Sequence, residues 1–242
     1  MRTIGLLGGM SWESTELYYR VINERVRERL GGYSSARIVM ISVDFAGIER
    51  LQVAGDWATA GEALATDARR LEAAGADLIV LCTNTMHRVA DAIEAAVSVP
   101  LLHIADIAAR AVTSAGVRTI GLLGTRFTME QSFYSDRLSA AGLEVLVPER
   151  DDRTTVHDII YSELVRGVVT AESRAAYRAV IDGLVQRGAE GIVLGCTEIE
   201  LLVTRHDSAV PVFAMTRLHA RTAADWAIAE SADVGSAGLE SA

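Results

Sequence analysis

Short apolar runs alternate along the chain with longer stretches in which apolar residues recur every three or four positions. The runs 4–7, 38–42, 78–81, 101–104, 119–123, 144–147, 191–194 and 212–214 are rich in Val, Ile and Leu and read as buried parallel strands. The stretches between them read as amphipathic helices, so the pattern predicts an α/β fold of repeated βα units. The first helix is expected to open at Ser11, a good N-cap, and to stop at Gly31-Gly32. Leu17, Tyr18, Val21, Ile22, Val26 and Leu30 would form its buried face.

The strand pattern repeats itself. Thr3-Ile4-Gly5-Leu6-Leu7-Gly8 recurs as Thr119-Ile120-Gly121-Leu122-Leu123-Gly124, and Gly75–Leu81 recurs as Gly188–Leu194. Val99-Pro100 recurs as Val210-Pro211 in the same order. The expectation is two pseudo-symmetric α/β domains, each a four-stranded parallel sheet flanked by helices. Their boundaries are 1–105 and 106–214, with a helix at 215–230 returning to the first domain and a flexible tail at 231–242.

Composition narrows the function classes. Half of the 242 residues are apolar and 23% are charged, which excludes disorder as the main state. The net charge of −9 sets the average surface against nucleic acid and anionic membranes as partners. No run of about 18 apolar residues is present to span a bilayer, and the N-terminus passes directly into a strand, so a cytoplasmic protein is expected. Two cysteines are no disulfide framework.

In open parallel sheets, ligands bind beyond the carboxyl ends of the strands, where the strand order reverses. Four segments follow such strands: Gly8-Gly9-Met10-Ser11, Cys82-Thr83-Asn84-Thr85, Gly124–Thr128 and Gly195-Cys196-Thr197-Glu198. With two halves facing each other, all four would converge on one cleft. Small hydroxyl and amide groups with exposed backbone N–H groups there suit a carboxylate; the plain alternative is a set of ordinary strand-to-helix turns, with Thr85 as an N-cap. The glycine spacing is not GxGxxG, which argues against a dinucleotide. Cys82, His87, Cys196 and Glu198 lack the paired spacing of a zinc site, so no metal is expected. Arg50, Arg126 and Arg166 are ordinary solvated charges, one of which could pair with a second substrate carboxylate.

These segments carry a resemblance. GLLGGMSWEST at 5–15, LCTNTMH at 81–87, GTRFT at 124–128 and GCTEIELL at 195–202 together resemble the aspartate/glutamate racemase family, and within it the broad-specificity amino-acid racemases. The resemblance covers nearly the whole chain. It implies two pseudo-symmetric domains with the active site between them, frequent dimerisation, and no cofactor: neither pyridoxal phosphate, metal nor nucleotide. The implied reaction removes the α-proton of an amino acid and returns one to the opposite face. Family members typically use two cysteines for this, one before Asn-Thr-x-His and one before Thr.

This chain departs from that pattern by one residue. Alignment on Asn84-Thr85-Met86-His87 puts Thr83 at the first catalytic position, and the internal repeat independently pairs Thr83 with Cys196 and Cys82 with Gly195. A shift of one position at a strand end reverses the side-chain direction. The resemblance therefore implies Thr83 and Cys196 as catalytic residues, with Cys82 as the alternative if the loop rotates. A thiolate can abstract a proton near neutral pH, whereas a threonine hydroxyl can only donate or relay one. Since the second cysteine of the family serves the L-enantiomer, an enzyme for Asp or Glu preferring L-amino acids is expected. Motif positions imply Met10, Ser11, Asn84, Thr85, Thr125, Thr128, Thr197 and Glu198 around the substrate, Glu198 either meeting the ammonium, orienting Cys196 or standing solvated. Rival readings are a maleate isomerase, hydantoin racemase or decarboxylase of the same superfamily, and a non-catalytic amino-acid sensor.

Overall fold

A computed structural model of the chain describes residues 1–229. The expected tail lies outside the described residues. In chain order the elements are β1 (Thr3–Gly8), α1 (Trp12–Leu30), β2 (Arg37–Ser42), α2 (Phe45–Ala54), α3 (Trp57–Ala73) and β3 (Leu78–Leu81). A 3-10 turn (Thr85–Val89), α4 (Ala90–Glu94) and α5 (Ile104–Ser114) follow, then β4 (Thr119–Gly124), α6 (Arg126–Glu130), α7 (Ser132–Ala140) and β5 (Glu144–Leu146). The chain continues through α8 (Arg150–Ser162), α9 (Ala171–Gln186), β6 (Gly191–Gly195), α10 (Ile199–Leu202), β7 (Val212–Ala214) and α11 (Met215–Ile228). No helix among the described residues is long and apolar enough to cross a membrane.

The chain divides into two compact units. The first holds residues 1–82, 91–102 and 219–229; the second holds 83–90 and 103–218. The segment carrying Thr83, Asn84 and Thr85 thus belongs to the second unit, although it directly follows a strand of the first.

In the first unit the sheet order is β2-β1-β3, all parallel. The expected fourth strand at 101–104 is reduced to a single parallel bridge between Leu101 and Ile79. The reason is local: the His103 side chain accepts the Ala105 N–H at 3.2 Å, which caps α5 and turns the chain into a helix before the ladder can extend. Ser11 caps α1 as expected, accepting from Ser14 N. Leu30, however, is 50% exposed, because the buried stripe of α1 ends at Val26 and the last turn, Arg27 to Leu30, lies in solvent.

Within this unit, Tyr18 Oη donates to His219 Nδ1 at 2.8 Å and His219 Nε2 donates to the Leu102 carbonyl at 2.8 Å. Arg25 and Arg29 hold Asp225 at 2.9 Å. These contacts join α11 to α1 and to the segment after β3.

The second unit has four parallel strands in the order β5-β4-β6-β7. Strand β5 ends at Leu146, one residue earlier than the pattern suggests, ahead of Pro148, which has no N–H for a ladder. Strand β6 is buried along its full length, and Ile192 and Leu194 share a core with Tyr177, Val180, Ile181 and Leu184 of α9. Glycine is required where these strands end. Gly124 and Gly195 face each other in register, and a Cβ on either would press against the Thr128 side chain and the backbone of the neighbouring strand.

Candidate active site

Because β4 and β6 end in register at Gly124 and Gly195, the residues that follow, Thr125 and Cys196, leave neighbouring strands side by side. Thr125 Oγ1 caps α6 by accepting from Thr128 N, lies 3.3 Å from Thr128 Oγ1, and lies 3.1 Å from Thr85 Oγ1. A hydroxyl chain therefore fastens the Thr83–Thr85 segment to the carboxyl edge of this sheet. The structure brings Thr85, Thr125 and Thr128 into direct contact. All three are buried.

Thr85 is not the N-cap of the turn it opens. That position belongs to Asn84, whose side chain makes no capping bond. Asn84 is 3% exposed, and neither its amide nitrogen nor its amide oxygen has a hydrogen-bond partner among the described residues. A buried amide left with both ends unpaired costs folding free energy of about 1–3 kcal/mol per group, a penalty that a polar ligand removes.

Cys196 donates its thiol hydrogen to Glu198 Oε2 at 3.0 Å, and the Thr197 hydroxyl donates to the same oxygen at 2.6 Å. Glu198 is 7% exposed, which corrects the reading of a solvated first-turn acid. Burial pushes the Cys196 thiol well above its ordinary range, and the neighbouring Glu198 charge adds to that rise. The resting residue is a thiol beside a carboxylate.

Cys82 closes the first unit and differs in setting. It is fully buried, its thiol faces the Val80 carbonyl at 3.6 Å, and burial alone drives its pKa far up. Its own carbonyl accepts from Ser14 Oγ at 3.1 Å. Met10 and Ser11 also lie in the first unit, both buried. Thr15 Oγ1 accepts the Gly9 N–H at 2.8 Å and donates to the Ser11 carbonyl at 2.9 Å, so Gly8-Gly9-Met10-Ser11 is a turn braced by the WEST segment. Gly9 needs its φ of +91°, and a side chain there would strike the Val43 backbone.

Arg50, Arg126 and Arg166 are all exposed, and nothing distinguishes one of them as an anion clamp. Among the described residues no group of three or more His, Cys, Asp or Glu side chains is placed to hold a metal. Two further side chains are buried at the same carboxyl edge: His87, which the sequence suggested only as a metal ligand to be set aside, and Glu200, which it did not single out. His87 lies 2.8 Å from the Thr83 carbonyl through Nδ1 and accepts the Ile104 N–H through Nε2 at 3.2 Å. Glu200 accepts the Thr216 N–H at 2.7 Å, and burial raises its pKa to about 7. The internal repeat, continued four residues past Thr83 and Cys196, aligns these two and could have flagged them.

Known proteins resemble this chain over nearly its whole length. The chain is 54% identical to a proposed Asp/Glu racemase from Yersinia pestis of known crystal structure, over 95% of this chain and 100% of that one, with a TM-score of 0.90. It is 34% identical to an aspartate racemase homologue from Pyrococcus horikoshii OT3, over 94% and 99% of the two chains, with a TM-score of 0.83. The broad specificity amino-acid racemase RacX of Bacillus subtilis (strain 168) is 24% identical over 151 residues, 62% of this chain and 65% of that protein. A family model described as Asp/Glu/hydantoin racemase matches residues 7–223. The chain belongs to the Asp/Glu/hydantoin racemase family of enzymes.

Proposed function

We propose that the protein is a cofactor-independent amino-acid racemase acting on Asp or Glu with preference for the L-enantiomer. The observation that carries this reading is the Cys196 thiol donating to the buried Glu198 carboxylate. A buried thiol is a poor base until its proton has somewhere to go, and a carboxylate in hydrogen-bond contact is an acceptor in place. Once the proton has moved to Glu198, the thiolate sulfur takes the α-hydrogen. The Cα–H electron pair is left on carbon and delocalises into the α-carboxylate. Thr83 serves the opposite face, relaying a proton from solvent through its hydroxyl to Cα. Because the thiolate of Cys196 abstracts from the L-face, exchange of the α-hydrogen with solvent without inversion proceeds from the L-enantiomer, and this is the sense of the L-preference, the equilibrium between the enantiomers being unaffected.

The unpaired Asn84 amide supports binding of an anionic group beside Thr83, with Thr85, Thr125, Thr128 and Thr197 supplying hydroxyls at the same sheet edge. Met10 and Ser11 complete the proposed substrate residues. The burial of Cys82 against Val80 favours Thr83 over Cys82 as the second group. The same reading takes the protein as a cytoplasmic homodimer.

The test is solvent-deuterium incorporation at Cα of L-Asp and L-Glu without added cofactor. Exchange in the parental protein that disappears in Cys196→Ala is expected. Ligand-induced thermal stabilisation with no exchange would instead mark an amino-acid sensor.

A further inference from the structure

His87 and Glu200 stand at equivalent places in the two halves, four residues after Thr83 and Cys196. Each takes a backbone N–H at the start of the helix that follows the next strand position. Ile104 N donates to His87 Nε2 at 3.2 Å, and Thr216 N donates to Glu200 Oε1 at 2.7 Å. An imidazole and a carboxylate share little except the ability to accept this bond. What recurs in the two halves is therefore a buried acceptor that ties the turn after a site residue to the N-terminus of the next helix.

His87 makes a second bond that defines its orientation. Because the Ile104 N–H can only donate, Nε2 presents its lone pair and the ring proton sits on Nδ1, which donates to the Thr83 carbonyl at 2.8 Å. The ring is also backed by His103, at 4.6 Å between centroids in an edge-on arrangement, and His103 itself caps α5. One rigid side chain thus spans from the Thr83 backbone to the first residue of an eleven-residue helix.

The peptide joining Thr83 to Asn84 is planar, so fixing the direction of the Thr83 carbonyl fixes the Asn84 N–H in the opposite direction. Without that bond the peptide plane can rotate, and the Thr83 side chain and the Asn84 N–H turn with it. We propose that His87 is a positioning residue for the Thr83 side of the reaction, setting the Thr83–Asn84 peptide through its Nδ1–H while Nε2 anchors the ring to α5. The proposal rests on the racemase reading above. It implies an asymmetric defect: disturbing the Thr83 bond impairs proton delivery to one face of Cα and spares abstraction by Cys196 on the other.

Two substitutions separate the two bonds. In His87→Asn the amide nitrogen takes the place of Nδ1 and can still donate to Thr83. In His87→Gln the amide oxygen takes the place of Nε2, so the α5 anchor survives and the Thr83 bond is lost. The measurements on the purified full chain are α-deuterium exchange of L-aspartate, conversion of L- to D-aspartate, and thermal melting. His87→Gln is expected to keep exchange within about threefold and to lose conversion by about tenfold or more, the effect of one hydrogen bond that matters in the transition state. His87→Asn is expected to hold conversion within about threefold of the parental value. Equal losses of exchange and conversion in both variants, tracking their melting temperatures, would mean a merely structural histidine and overturn the proposal. Unchanged conversion in His87→Gln would overturn it as well. Absence of exchange in the parental chain would bring down the racemase reading, and this proposal with it.

Discussion

The Cys196 thiol donates to Glu198 Oε2 at 3.0 Å from only two residues away, so the sulfur and its proton acceptor are carried by one turn. Burial and the Glu198 charge both hold the thiol protonated at rest. Replacing Glu198 by Gln removes the charge and the acceptor together, with opposite consequences. The thiol pKa falls, because the Coulombic cost of a thiolate beside a carboxylate is gone. Turnover near neutral pH also falls, by roughly 10²-fold, because the proton has lost its nearest acceptor. The expected signature in Glu198→Gln is an exchange rate that climbs with pH in step with thiolate absorbance, approaching the parental rate only on the alkaline side. A pH profile identical to the parental one would remove Glu198 from the mechanism.

The two cysteines should separate cleanly under mutation. Cys82 sits among apolar residues at the end of β3, with its thiol against the Val80 carbonyl. Cys82→Ser places a more strongly polar hydroxyl there, and an unfolding free-energy loss of about 1–2 kcal/mol is expected with α-proton exchange retained. Cys196→Ser should reverse the pattern, with near-parental stability and exchange lowered by about 10²-fold or more, since a serine hydroxyl gives up its proton far less readily. Urea denaturation and deuterium exchange on the same preparations check both.

Much of the architecture was legible in the sequence, and the gaps have physical causes. The repeat located β1, β3, β4 and β6 because buried parallel strands need unbroken apolar runs, and it aligned Thr83 with Cys196. The strand expected at 101–104 was lost to a side-chain event: His103 captured a backbone N–H that periodicity cannot register. Leu30 was misassigned because helix periodicity says nothing about where the supporting sheet stops. At the candidate site, the motif resemblance pointed to Cys196, Asn84 and the threonines, but the pairing of Cys196 with Glu198 depends on rotamers, and the reach of His87 to Ile104 depends on a contact across 17 positions.

Gly9 offers a test of the turn that braces the GGMS segment. Its φ is +91°, and an added Cβ would collide with the backbone nitrogen and oxygen of Val43. Both the strained dihedral and the clash are backbone effects that no rotamer change relieves. Gly9→Ala should cost about 3 kcal/mol or more. Gly55, with φ of +72° and ψ of 13° in the ordinary left-handed region and open space around its missing Cβ, is the internal control, and Gly55→Ala should cost only about 1 kcal/mol. Comparable losses for the two would show that Val43 can move aside.

His219 and Glu200 should oppose each other in the pH dependence of stability. His219 is fully buried, and desolvation lowers its pKa from 6.5 to about 4. Below about 6.5 the unfolded imidazole takes up a proton that the folded one refuses, so the stability present above that pH is lost as the pH falls towards 4, by about 3 kcal/mol. Glu200 runs the other way. Desolvation raises its pKa from 4.5 to about 7, so the unfolded carboxyl releases its proton while the folded one retains it. Stability present below about 4.5 is then lost as the pH rises to 7, again by about 3 kcal/mol. With both groups intact the two slopes largely cancel between pH 4.5 and 6.5. Glu200→Gln should expose the histidine slope, making the protein steadily more stable from pH 4.5 to 6.5 relative to the parent. His219→Gln should expose the glutamate slope and reverse the sign. Chemical denaturation of both variants and the parent at several pH values measures the difference directly, and parallel curves for all three would show that neither group titrates differently in the folded and unfolded chains.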